Sequence, residues 1–160
     1  MPSPVLLLIS RDDILAYDDS PSVQELYRLL GRLTRLGFRL LSTAPQPEDW
    51  YSSSDDALPG PHSIRKQLAE AGGTLDGVYF IPRSSFTQRR NREEALQDIL
   101  DRYKVKAENC FLFSSSRKFV RAASGMGIHA TSLHSDLRLL DSLKSLLLQH
   151  EERTGETRQG

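Results

Sequence analysis

The feature that most constrains the fold is a regular alternation of short apolar runs with longer segments of helical periodicity. Residues 5–9 are apolar at every position, which is typical of a parallel strand that is buried on both faces. Further strands are predicted at residues 38–41, 78–81, 110–113 and 127–131, and helices at 22–36, 64–71, 93–103, 116–126 and from 135 onward. This order predicts an α/β fold with a mainly parallel five-stranded sheet and helices on both faces.

Local signals predict where several of these elements begin and end. Ser22 with Glu25 three residues later forms a capping-box pattern, Gly37 is expected to end the same helix, and Ser135 is expected to cap the last one. We predict one domain over residues 1–150 and a polar, disordered tail over residues 151–160. Residues 44–61 are predicted to form a surface loop or lid, in which Trp50 is either a partner-binding anchor or folded back on the domain.

Composition excludes several classes of function. The 21 basic and 21 acidic residues balance, so no overall field favours a nucleic acid or an anionic membrane, and neither partner is expected. No apolar stretch approaches the roughly 18 residues of a membrane span. The single cysteine, Cys110, cannot form an internal disulfide, and its apolar neighbours predict an unreactive core thiol. We therefore expect a cytoplasmic protein.

A ligand site in a parallel α/β sheet lies at the carboxyl ends of the strands. In this chain those ends correspond to residues 10–13, 42–44, 82–92 and 114–116. Any function that uses the sheet edge is expected to depend on these four segments.

Four segments, in order, resemble the haloacid dehalogenase (HAD) superfamily, and most closely its histidinol-phosphate and heptose-bisphosphate phosphatases. They are residues 7–15 (LLISRDDIL), 33–38 (LTRLGF), 76–83 (DGVYFIPR) and 111–116 (FLFSSS). The resemblance extends over roughly residues 5–148. It implies a three-layer, Rossmann-like fold and a phosphomonoesterase ancestry.

The resemblance also implies that the acidic machinery of such enzymes is degenerate in this chain. Ser10 stands where the family has its nucleophilic aspartate, whereas Asp12 matches the general acid. Asp13 replaces a glycine, which adds negative charge where a phosphate would bind. Ser115 stands where the family has a magnesium-binding aspartate, and neutral hydroxyls are poor ligands for a hard cation.

Phosphate binding is the part of the family's chemistry that the remaining side chains could still support. The resemblance points to Arg90, to Ser115, and to either Ser42 or Thr43 as phosphate-binding residues. No cofactor is expected, and magnesium is expected only if the site has been rebuilt. The positions of the family's zinc ligands hold no cysteine or histidine.

Each of these patterns has a simpler alternative. Asp12 and Asp13 could mark only a turn and a helix start, residues 89–92 a solvated helix entry, and residues 114–116 a helix cap.

The resulting hypothesis is a catalytically degenerate phosphatase-like domain that binds an unidentified protein partner or a phosphorylated small molecule. One alternative is a divergent phosphomonoesterase acting on a sugar phosphate or histidinol phosphate, with Asp13 as a substitute carboxylate. A third is an oligomerisation module that uses the Trp50 loop or the leucine-rich last helix.

Overall fold

The computed structural model describes residues 4–45, 63–82 and 88–159, and within these ranges it has the predicted alternation of strands and helices. The strands are β1 (Val5–Ser10), β2 (Phe38–Pro45), β3 (Leu75–Ile81), β4 (Cys110–Ser114) and β5 (His129–Ser132). The α-helices are α1 (Arg11–Leu15), α2 (Val23–Arg35), α3 (Ile64–Glu70), α4 (Arg89–Tyr103), α5 (Arg117–Gly125) and α6 (Leu139–Gln159). A short 3₁₀ turn, Ala107–Asn109, precedes β4.

The five strands form one parallel sheet in the order β3-β2-β1-β4-β5. The predicted α/β class and the five-stranded parallel sheet are therefore confirmed. β1 lies at the centre of this order, and its apolar side chains at successive positions suit burial on both faces. Its carboxyl end consequently lies in the middle of the sheet edge.

The two faces of β1 contribute to two separate hydrophobic cores. Leu7 and Ile9 pack with α2, α3 and α6, whereas Leu6 and Leu8 pack with α4 and α5. Successive side chains of a strand point to opposite faces, so one short run of four apolar residues serves both layers. Helices on both faces give the three-layer architecture that was predicted.

Several local predictions need correction. Ser22 is the residue before α2, but its side chain makes no capping hydrogen bond. The backbone N–H of Ser22 donates to the hydroxyl of Ser20 at 3.1 Å, where the capping-box pattern would place Glu25. Ser135 does not cap the last helix: backbone pairing between His134 and Leu137 forms a turn there, and α6 begins at Leu139.

Two further predictions concern the end of the chain and the long loop. The domain boundary predicted at residue 150 falls inside α6 and stays a prediction. Trp50 and the rest of residues 46–62 lie outside the described residues.

The side chain of Cys110 is buried in the core formed by α4 and α5, as predicted. Burial raises the pKa of this thiol from 9.0 to about 12, because the thiolate loses its hydration. Among the described residues, no helix combines the length and the apolar character needed to cross a membrane.

The raised pKa predicts that Cys110 resists labelling while the protein is folded. Below pH 9 the shift corresponds to about a thousandfold less thiolate, which is the reactive form. A thiol-disulfide reagent should label Cys110 only after urea is added. A cysteine placed at exposed Ser124, in a Cys110→Ala background, should react at once. Equal native rates for the two thiols would contradict this prediction.

The central strand also predicts where truncation is most costly. Leu8 is 0% exposed on β1, so Leu8→Ala should lower the free energy of unfolding by about 2–5 kcal/mol through lost burial and a cavity. Leu148 on α6 is 58% exposed, and Leu148→Ala should change the free energy of unfolding by less than about 0.5 kcal/mol. Urea denaturation of both variants measures the difference, and similar values would argue against β1 as the core of the fold.

Candidate functional site

The carboxyl ends of β1, β2 and β4 bring three of the four predicted segments to one edge of the sheet. In the strand register, Ser10 is the partner of Thr43, and Ser42 is the partner of Ile9. Thr43, rather than Ser42, is thus directly beside Ser10. The hydroxyl of Ser42 is fully buried and has no hydrogen-bond partner among the described residues.

The backbone turns into α1 immediately after β1. Ser10 precedes this single-turn helix in extended conformation, and Asp12 and Asp13 fall in its first turn. The local structure of the two acids therefore matches the alternative in which they mark a turn and a helix start, where carboxylates are favoured. Asp12 is exposed to solvent, whereas Asp13 is partly buried.

Asp13 links the end of β1 to the end of β4. One carboxylate oxygen, Oδ2, accepts a hydrogen bond from the backbone N–H of Ser115 at 3.1 Å. Ser115 lies two residues before α5, so this N–H belongs to the amide-rich entry of that helix. Backbone N–H groups at a helix start are a common anion-binding feature, and in this protein the anion is a side chain of the chain itself.

The three serines after β4 are arranged as a helix entry. Ser114 Oγ accepts a hydrogen bond from Ser116 N–H at 3.0 Å, and Ser116 Oγ accepts one from Phe119 N–H at 3.5 Å. The cap interpretation thus describes Ser116, which is the N-cap residue of α5. The side chain of Ser115 is exposed, and the hydrogen bond to Asp13 uses its backbone.

The donor groups at this edge differ from the magnesium ligands that the resemblance implies. The positions that would hold it by resemblance carry the hydroxyls of Ser10 and Ser115, and Asp13 is already engaged with an N–H group. The described residues contain no group of three histidine, cysteine or acidic side chains that could hold a metal. Positions 83–87, where part of the zinc loop would fall, lie outside the described residues.

The arginines at the start of α4 differ in their surroundings. The side chain of Arg90 is 89% exposed, and its Nε donates a hydrogen bond to the carboxylate of Glu94 at 3.1 Å. This position matches the alternative that residues 89–92 form a solvated helix entry. No described contact connects it to Ser10, and its phosphate-binding role stays a prediction. Arg92 is 9% exposed. Its spacing of three and four residues from Ala95 and Leu96, on the buried face of the helix, is the signal that could have distinguished it from Arg90.

A cleft of about 310 Å³ lies beside Asp13 and Ser115. Its other lining residues are Ala16, Tyr17, Ser20, Leu133, His134, Arg138 and Leu139. The Arg138 guanidinium carbon lies 5.4 Å from the centre of the Tyr17 ring, and the Tyr17 hydroxyl accepts a hydrogen bond from Leu140 N–H at 3.2 Å.

The wall of this cleft that Tyr17 and Arg138 form could not be predicted from the sequence. Tyr17 and Arg138 are more than a hundred residues apart, and both lie in connecting segments rather than in a recognisable motif. The wall exists because the segment after α1 and the entry to α6 meet here, where the Tyr17 hydroxyl accepts the hydrogen bond from Leu140 N–H.

Comparisons with known proteins add a fold but no sequence family. No family model and no curated protein matches the chain. An uncharacterised protein from Corynebacterium glutamicum is 18% identical, with a TM-score of 0.55 over 82% of this chain and 85% of that one. The core domain of a Streptococcus pneumoniae protein provisionally named phosphoglycolate phosphatase is 16% identical, with a TM-score of 0.50 over 84% and 83%.

A third similar structure is a HAD family enzyme from Bacteroides thetaiotaomicron, solved in complex with magnesium and inorganic phosphate. It is 8% identical, with a TM-score of 0.50 over 83% of this chain and 96% of that chain. These similarities show that the chain has the Rossmann-like fold of the HAD phosphatases.

The link between Asp13 and Ser115 predicts a measurable contribution to stability. Asp13→Ala should lower the free energy of unfolding by about 1 kcal/mol, because a backbone N–H at the start of α5 loses its acceptor. Asp12→Ala, which removes an exposed neighbour of the same charge, should change it by less than about 0.5 kcal/mol. Urea denaturation compares the two, and a larger effect at Asp12 would contradict the structural role of Asp13.

Proposed function

We propose that this protein is a phosphatase-like domain that has lost catalysis and now serves in binding. The observation that carries the proposal is the hydrogen bond from Ser115 N–H to the carboxylate of Asp13. In this fold, anionic ligands are expected at the carboxyl edge of the sheet, and in this chain the carboxylate of Asp13 takes that position.

Electrostatics make this arrangement unfavourable for phosphoester hydrolysis. A phosphate dianion at the edge would lie beside the carboxylate of Asp13 and would compete with it for the N–H of Ser115. Two unit charges of the same sign about 4 Å apart repel by about 1 kcal/mol in water, so a dianion and this carboxylate repel by about 2 kcal/mol, and by more where solvent is excluded. The wild-type edge is therefore poorly suited to the substrate of its structural relatives.

The nucleophile position is also poorly suited to attack phosphorus. A serine hydroxyl needs an adjacent base to become reactive. Among the described residues, none accepts a hydrogen bond from the Ser10 hydroxyl, although Asp12 and Asp13 follow it directly in α1. The loss of an acidic nucleophile and of metal ligands removes two contributions that normally act together.

The cleft beside Asp13 supplies groups for binding rather than for bond breaking. It combines an aromatic ring, Tyr17, with the guanidinium of Arg138 and the imidazole of His134. His134 Nδ1 accepts a hydrogen bond from Asp136 N–H at 3.2 Å, which orients the ring. A protein partner is the proposed ligand of this cleft, and a phosphorylated small molecule, the other proposed ligand, would bind away from the carboxylate of Asp13. We place the protein in the cytoplasm, because its one cysteine is a buried free thiol.

Turnover measurements test the loss of catalysis. Purified protein with magnesium should hydrolyse p-nitrophenyl phosphate, histidinol phosphate and sugar phosphates no faster than buffer. The competing hypothesis, a divergent phosphomonoesterase, predicts turnover at ordinary enzyme rates of about 1–1,000 per second. Such turnover, if abolished by Asp12→Ala, would overturn the proposal.

Phosphate binding tests the role of the Asp13 charge. Asp13→Asn should raise the affinity for the phosphate dianion by about thirtyfold, the equivalent of the roughly 2 kcal/mol repulsion estimated for water. Asp101→Asn is a matched control, because it removes one exposed carboxylate near the other end of α4. Calorimetric titration measures both. An unchanged or lower affinity of Asp13→Asn relative to the control would show that Asp13 does not exclude phosphate.

A further inference from the structure

A second concave surface lies on the other side of the sheet, between α4 and α5. This basic groove has a volume of about 520 Å³, and its cationic lining residues are Arg89, Arg92, Lys118 and Arg121. Glu93 is the carboxylate among the lining residues. The groove and the cleft beside Asp13 have no lining residue in common, so the two are separate features.

Positive charge in the basic groove is only partly neutralised. Arg89 Nε lies 3.2 Å from the carboxylate of Glu93, one turn further along α4. Within the described residues, Lys118 and Arg121 form no ion pair with any carboxylate. Cations therefore outnumber carboxylates in a confined space, which raises the local positive potential.

The helix ends add to this potential. Neither α4 nor α5 has an acidic residue in its first turn, whereas α5 begins with Arg117 and Lys118. Cations at a helix N-terminus are unfavourable, because they meet the positive end of the helix dipole. The carboxylate of Asp13 at the entry of α5 offsets part of this positive charge, and an anion bound in the groove would offset more of it.

The remaining lining of the basic groove is small or apolar. Ala122 and Gly125 lie on the same side of α5, and Met126 follows the helix. A Cβ atom built at Gly125 meets no atom within 4 Å, so this end of the groove is open. An apolar skeleton could lie along this end while its anionic groups contact the cations.

We propose that the basic groove binds a small organic phosphate that carries at least two negative charges. Its volume falls within the roughly 300–1,000 Å³ of small-molecule sites. Arginine and lysine are the side chains that bind phosphate oxygens most strongly. This site does not depend on the loss of catalysis at the sheet edge. It would allow the domain to bind a phosphorylated ligand even though Asp13 disfavours phosphate at that edge.

Binding of fructose 1,6-bisphosphate, with fructose as the uncharged control, tests the proposal. Calorimetry should detect the bisphosphate but not fructose, and affinity should fall as salt is raised. The double variant Lys118→Gln/Arg121→Gln should bind at least about tenfold more weakly, because two charge-assisted contacts are lost. Arg28→Gln/Lys66→Gln is the matched control: it removes the same charge from exposed positions on α2 and α3, and should bind like wild type.

Amide chemical shifts locate the ligand. Changes confined to the first turns of α4 and α5 and to Gly125 support the basic groove, whereas changes centred on Ser10, Asp13 and Ser115 would overturn it. The proposal also fails if the wild type does not bind, or if both double variants lose affinity equally. Tighter binding of a polyglutamate peptide than of the bisphosphate would overturn the small-molecule assignment.

Discussion

Burial of β1 on both faces is the constraint on which the rest of the structure depends. Leu6, Leu7, Leu8 and Ile9 are all fully buried, and alternate side chains belong to the two hydrophobic cores. A strand of this kind is stable only between two neighbouring strands and beneath helices on both sides. Its carboxyl end must then open at the centre of the sheet edge, where Ser10 lies beside Thr43 and α1 begins.

The same geometry places one hydrogen bond at the centre of the proposed function. Because β1 and β4 are adjacent, the first turn of α1 faces the entry to α5, and Asp13 reaches the N–H of Ser115. A glycine at position 13 would leave that N–H available to an external anion. The carboxylate instead satisfies it from within, which stabilises the fold and disfavours phosphate at the edge.

Charge balance over the whole chain conceals a local separation of charge. The formal net charge is zero, yet cations gather between α4 and α5 while Asp12 and Asp13 lie at the sheet edge. A zero net charge therefore excludes a broad electrostatic attraction but does not exclude an anion site. What matters is which side chains the packing of two helices brings into one concave space.

The sequence by itself determined the fold class, a first strand buried on both faces and the buried cysteine, because continuous apolar runs and the 3.6-residue periodicity of helices report burial directly. It also brought Ser10, Asp13 and Ser115 to one edge, since carboxyl ends of parallel strands coincide. Only the tertiary structure decided that Thr43 is beside Ser10 and that Tyr17 meets Arg138. Register, side-chain direction and contacts between distant segments depend on packing in three dimensions, which no local pattern encodes.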